Sequence, residues 1–206
     1  MKRLAVPAAL ISTGLLAGAC GSTDTATREV SSMSSTSATP AESRTPATSP
    51  AADHNERDIW FARMMIPHHR QALEMARLAE GRAAGGKVKE LARQIEAAQD
   101  PEIRTMTGWL ESWGVEVPGE DGMPMDHMDH GMPGMMSRED MNKLKGLEGA
   151  TFDRAFLTMM IQHHEGAVTM AEEEQGAGVY EPARRLAGSI ITSQSAEIST
   201  MRKLLK

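Results

Sequence analysis

The chain repeats itself at an interval of 95 residues, and that interval constrains its fold more than any other feature. Phe61, Met64, Met65, Ile66, His68 and His69 return as Phe156, Met159, Met160, Ile161, His163 and His164. The register then holds. Met75 pairs with Met170, Leu91 with Leu186, Ile95 with Ile190, Gln99 with Gln194, Glu102 with Glu197, Ile103 with Ile198, and Met106 with Met201. A constant offset over this many identities marks the duplication of one structural unit.

Each copy reads as two helices. Ala62, Met65, Ile66, His69, Ala72, Leu73 and Ala76 recur at helical spacing, with Arg63, Arg70, Glu74 and Arg77 on the other side. Glycines between Gly81 and Gly86 end that segment. Val88, Ala92, Ile95, Gln99, Ile103, Met106 and Leu110 then share one face of a second helix. The second copy predicts helices near 152–175 and 182–205, with Pro182 suited to a first turn. Pro67 and Pro101 fall inside the helices of copy one, where proline kinks or breaks a helix. Copy two carries Gln162 and Ala196 there, so kinked but continuous helices are expected. No segment alternates as a strand. The expectation is an all-α chain, a duplicated antiparallel four-helix bundle over 55–206. Copy one spans 55–113, a linker 114–150, and copy two 151–206. Ser137 to Asp140 form a capping box that opens a short helix near 138–146.

At 100° per residue, His69 and Met65 lie on the apolar face of the first helix, as do His164 and Met160 in copy two. His68 shares a flank with Phe61, Met64 and Met75, and His163 shares one with Phe156, Met159 and Met170. A flank position is also what a solvated histidine would occupy. On the second helix Gln99 is central, Met106 lies beside it and Glu102 stands about 60° away. Gln194, Met201 and Glu197 repeat the arrangement. Buried amides and carboxylates need partners, and the facing histidines supply them, directly or through a metal. A lone inward histidine is more often a satisfied core residue. The repeated pattern shifts the balance to metal binding.

Between the copies run Met123, Met125, His127, Met128, His130, Met132, Met135 and Met136, interrupted by Gly, Pro and Asp. No helical or strand period survives there, so this segment is expected to stay out of the core. Thioether sulfur is a soft donor that selects Cu(I), and imidazole suits both oxidation states of copper. The run reads as a copper-collecting loop or, less informatively, as a linker of biased composition.

The amino terminus speaks to the compartment. Lys2 and Arg3 precede a mostly apolar run over 4–16, too short to span a bilayer, and then small residues up to Cys20. This resembles a lipoprotein signal peptide over 1–19, although Ala17 stands where a leucine is usual. Cys20 would be the lipidated residue, anchoring an exported protein to the outer face of the cytoplasmic membrane. A plain signal peptide is the alternative. Residues 20–54, rich in Ser, Thr, Ala and Pro, form a disordered spacer. Cys20 is the one cysteine of the chain, so neither a disulfide nor a thiolate metal site belongs to the folded part. The net charge of −6 becomes −8 without Lys2 and Arg3, which gives no basis for nucleic-acid binding.

The common zinc spacings are missing, as are the clustered acidic ligands calcium requires. Di-iron bundles carry a glutamate three residues before the ligating histidine. Here Ile66 and Ile161 hold that position. Copper, with Cu(I) favoured, is left as the metal. The helix containing Met65, Ile66, His68 and His69, the following helix with Gln99, Glu102, Ile103 and Met106, and the ending Trp109 and Leu110 resemble domain-of-unknown-function family 305. The resemblance covers roughly 55–206, and copy two lacks the Trp-Leu ending. It implies a ferritin-like bundle and a family some of whose members are exported copper-binding proteins linked to copper tolerance. Together with the spacing it places ligands at Met65, His69, Met160 and His164, then His68, His163, Met64 and Met159. Gln99, Glu102, Gln194 and Glu197, with Met106 and Met201, stand beside them as partners or direct ligands.

The expected function is therefore non-enzymatic copper sequestration, transfer or tolerance outside the cytoplasm, with a metal ion as ligand and no identifiable protein partner. Two alternatives remain at this point: a metal-dependent oxidase built on carboxylate and histidine, and a metal-free structural or partner-binding bundle.

Overall fold

The computed structural model describes residues 53–119 and 132–206. Its five helices are α1 (Glu56–Arg82), α2 (Gly86–Ser112), α3 (Arg138–Lys145), α4 (Gly149–Ala177) and α5 (Glu181–Leu204). Among the described residues there is no strand, only an isolated bridge between Ala83 and Gly149. No helix among them is long and apolar enough to cross a membrane. The signal peptide, Cys20 and nearly all of the 20–54 spacer lie outside the described residues.

The α1–α2 and α4–α5 hairpins pack against each other mainly through α1 and α4, while α2 and α5 meet only marginally. The two central helices therefore have neighbours on more than one side, and their buried stripe is wide. On α1 it includes Phe61, Met65, His68, His69, Ala72 and Met75. Both proline-bearing helices run through without interruption. At α1 the Asn55 side chain accepts from the N–H groups of Arg57 and Asp58, and Asp58 accepts in return from the Asn55 N–H, closing a capping box. Ser137 and Asp140 close the expected one on α3.

The apolar core divides in two. One cluster joins Met75, Leu91 and Ile95 to Phe152, Phe156, Met160 and Met201. The other joins Phe61, Met65, Met106 and Leu110 to Met170, Ala187 and Ile190. Along each long helix the histidines, glutamines and glutamates fall between these clusters. The result is a polar waist across the middle of the bundle, with an apolar core at each end.

Candidate metal centre

At the waist His68 and His163 meet across the α1–α4 interface, with ring centroids 3.8 Å apart and an interplanar angle of 41°. Both are fully buried. This removes the solvated alternative for the flank: the flank of α1 is the face that packs on α4. Burial, and secondarily the neighbouring His69, lowers the His68 pKa to about 3. Burial, followed by the surrounding histidines, holds His163 well below its ordinary value. Both rings are thus neutral at physiological pH, the form that ligates metals.

His69 and His164 are equally buried, each beside a glutamate from its own hairpin. The His69 Nε2–H donates to Glu102 Oε2 at 2.7 Å, and the His164 Nε2–H donates to Glu197 Oε2 at 2.7 Å. The His68 Nε2 lies 3.0 Å from the Pro133 carbonyl oxygen. A carbonyl only accepts, so the ring proton of His68 sits on Nε2. In neutral His68 Nδ1 is then a bare lone pair, and the Nδ1 atoms of His68, His69 and His164 all lack a partner. Both nitrogens of His163 lack partners as well, as do Gln99 Oε1 and both amide atoms of Gln194. Buried polar atoms are ordinarily satisfied, so this concentration of orphans in one layer calls for a ligand. Metal-bound imidazoles characteristically donate their second nitrogen to a carboxylate or a backbone carbonyl. Three of these four rings already do so.

Met65, Met106, Met160 and Met201 are fully buried, pairwise in the two clusters flanking the waist. Met64 and Met159 are half-buried. Glu102 and Glu197 keep a solvent edge, so the waist is not sealed. Among the described residues no three His, Asp or Glu side chains converge on one point. A site here needs thioether or amide donors, or bridges few imidazoles.

Of the linker candidates, Met123, Met125, His127, Met128 and His130 lie outside the described residues. Met132 and Met135 are half-buried, and Met136 is 4 % exposed inside the core cluster with Met160 and Met201. The expectation that no core would use this segment is wrong at Met136. A residue needs no helical period when its backbone is held by other means, and Gln71 holds this one. The Gln71 amide donates to the Met136 carbonyl at 2.9 Å and accepts from the Met136 N–H at 2.7 Å. Gln71, Pro133 and Gly166 escaped the sequence reading. The available signal was a mismatch: Gln71 and Gly166 are equivalent positions in the repeat, yet differ completely in chemistry.

The model of the domain of unknown function DUF305 matches residues 58–205. The chain belongs to the DUF305 family. A DUF305 protein of Streptomyces coelicolor, described as secreted, is 37% identical with a TM-score of 0.66, covering 75% of this chain and 94% of that one. A DUF305 fragment from Deinococcus radiodurans is 34% identical with a TM-score of 0.64, covering 73% and 96%. CopM in its Cu(II)-bound form is 37% identical with a TM-score of 0.62, covering 72% and 95%. CopM structures with Cu(I) and with silver are also similar to this chain. No curated protein matches it.

Proposed function

We propose that this DUF305 protein binds copper at its polar waist, in an exported setting, as a carrier or sink rather than a catalyst. The observation that carries the reading is the set of bare, buried imidazole nitrogens, three of them on rings already oriented by a carboxylate or a carbonyl. Support comes from CopM, whose Cu(II)-, Cu(I)- and silver-bound structures resemble this chain. The secreted description of the Streptomyces relative, together with the apolar run before Cys20, supports export. Lipidation at Cys20 belongs to the same reading.

His68, His163, His69 and His164 supply nitrogen. Met65, Met106, Met160, Met201, Met64 and Met159 are the candidate sulfur donors, and Gln99 and Gln194 the candidate amides. Glu102 and Glu197 hold their histidines and place negative charge beside an incoming cation. The abundance of thioether favours Cu(I). Residues 123–136 add a second, linker-borne set of Met and His donors.

Titration with Cu(I) against a competing chelator tests this. The wild-type protein should retain several equivalents. The double variant His68→Ala/His163→Ala should lose at least one, and deletion of residues 123–131 should remove others while leaving the waist loaded. Unchanged stoichiometry in the histidine variant would refute the waist as the site.

A further inference from the structure

We infer that residues 132–136 form a strap built to close over the His68–His163 pair, and that Gln71 is the positioning residue that holds it there. The inference concerns retention of the metal and in that part rests on the proposed function. Its geometry does not.

Three fastenings define the strap. Pro133 sets its carbonyl on His68 Nε2. Gly134, at φ +78°, lies so close to α4 that a Cβ would come 2.6 Å from the Gln162 carbonyl oxygen and 2.9 Å from that of His163. Facing it on α4, a Cβ on Gly166 would collide with the Pro133 carbonyl. A left-handed glycine crossing a second glycine allows backbone to touch backbone, an approach no other residue permits. One step on, the Gln71 amide takes both backbone groups of Met136 in a buried two-bond clamp, as an adjoining strand would.

The repeat shows why this is a built feature. By duplication, positions 71 and 166 are equivalent. One now reaches out with an amide to grip the strap, and the other has no side chain at all and lets the strap pass. The departure from two-fold symmetry occurs where a single linker must cross a symmetric pair of histidines. The crossing also occupies one nitrogen of His68 and neither of His163. A metal held by this pair is therefore covered by the strap on the His68 side, and the Gln71 clamp governs how readily the strap lifts to uncover it.

Two variants loosen the strap from opposite sides without touching a candidate ligand: Gln71→Ala removes the clamp, and Gly166→Ala displaces the crossing. Loss of the two clamp hydrogen bonds, worth about 1 kcal/mol each, corresponds to about a thirtyfold change. Release of Ag(I) to a chelator should therefore quicken by about thirtyfold in Gln71→Ala and should also quicken in Gly166→Ala, with the number of bound equivalents unchanged. A metal-independent readout accompanies it. In the metal-free wild-type protein the His68 ring N–H, covered by Pro133, should be visible by NMR and slow to exchange, and in both variants it should exchange fast. Wild-type release rates and wild-type ring protection in both variants overturn the strap. A ring proton protected in the wild type and lost in the variants, with no Ag(I) bound by any of them, upholds the strap and overturns the metal reading instead.

Discussion

Glu174 is a carboxyl group buried beside another carboxyl group. Both Glu174 and Asp58 are fully buried, and a Cβ on Gly178 would touch both. Asp58 has partners in the backbone N–H groups of Asn55, Val179 and Tyr180. Burial pushes its pKa up. The neighbouring Glu174 carboxyl and those three N–H groups outweigh burial and hold it below its ordinary value. Glu174 takes the proton. Burial first, then the adjacent Asp58 carboxylate, push it up to about 8, against the weaker pull of Arg57 and Arg184. A carboxyl with a raised folded pKa binds its proton more tightly folded than unfolded. Its stabilisation is complete below 4.5 and disappears as the pH climbs to about 8. His68 and His163 act in the opposite sense, but only below 6.5, where the unfolded chain protonates them. Between pH 6.5 and 8 Glu174 sets the slope. The melting temperature of the metal-free protein should fall across that window, by at most about 1.4 kcal/mol of stability per pH unit, and Glu174→Gln should flatten the fall. An unchanged slope in the variant would mean that no proton is shared.

At the scale of elements, Asp58 has an equivalent in Asp153. Asp153 accepts from the N–H groups of Ala84 and Gly85 at 3.1 and 2.8 Å. These are the repeat partners of Val179 and Tyr180, so an aspartate near the start of each copy's leading helix clasps the hairpin turn of the other copy. The clasp ties the halves together at both ends. Asp153→Ala should cost about 1–3 kcal/mol, given two charge-assisted bonds at a half-exposed site, read as a shift of the urea midpoint at constant m-value. A shift below about 0.5 kcal/mol would show that water replaces the carboxylate. The recurrence of Asp58 at Asp153 was visible in the repeat, but spacing alone cannot say that such an aspartate reaches across to the opposite hairpin. The four long helices and the inward face of α2 were legible because apolar periodicity reports burial directly. Pro67 and Pro101 sit in helices that remain continuous, as the second copy implied, and the Thr105 hydroxyl donates to the Pro101 carbonyl one turn earlier. The flank histidines were harder. A helical wheel gives one buried face, and α1 and α4 have more than one because each is central. The strap was not legible at all, since Gly134 and Pro133 act through backbone approach, which carries no period.

Over the described residues, two apolar cores are separated by a layer in which several buried polar atoms go unpaired. A chain selected for stability alone would put leucine there. Unsatisfied buried polar groups cost about 1–3 kcal/mol each, and such local violations are expected where function, rather than folding, sets the residue. The waist therefore predicts a trade-off with opposite signs in two states. His163→Leu replaces a ring with two orphaned nitrogens by an apolar group of similar size, between Met160 and Ala167 on α4. The metal-free variant should melt higher than the metal-free wild type. Loading with Ag(I) should reverse the order, because a ligand bound only by the folded state stabilises by RT ln(1 + [L]/Kd), about 2.7 kcal/mol at a hundredfold excess over Kd, and the variant forfeits part of that gain. Calorimetry of both proteins with and without silver reads all four states. A metal-free variant that melts lower than wild type would make His163 a packing residue whose nitrogens cost nothing, and the waist would then need no metal to explain it.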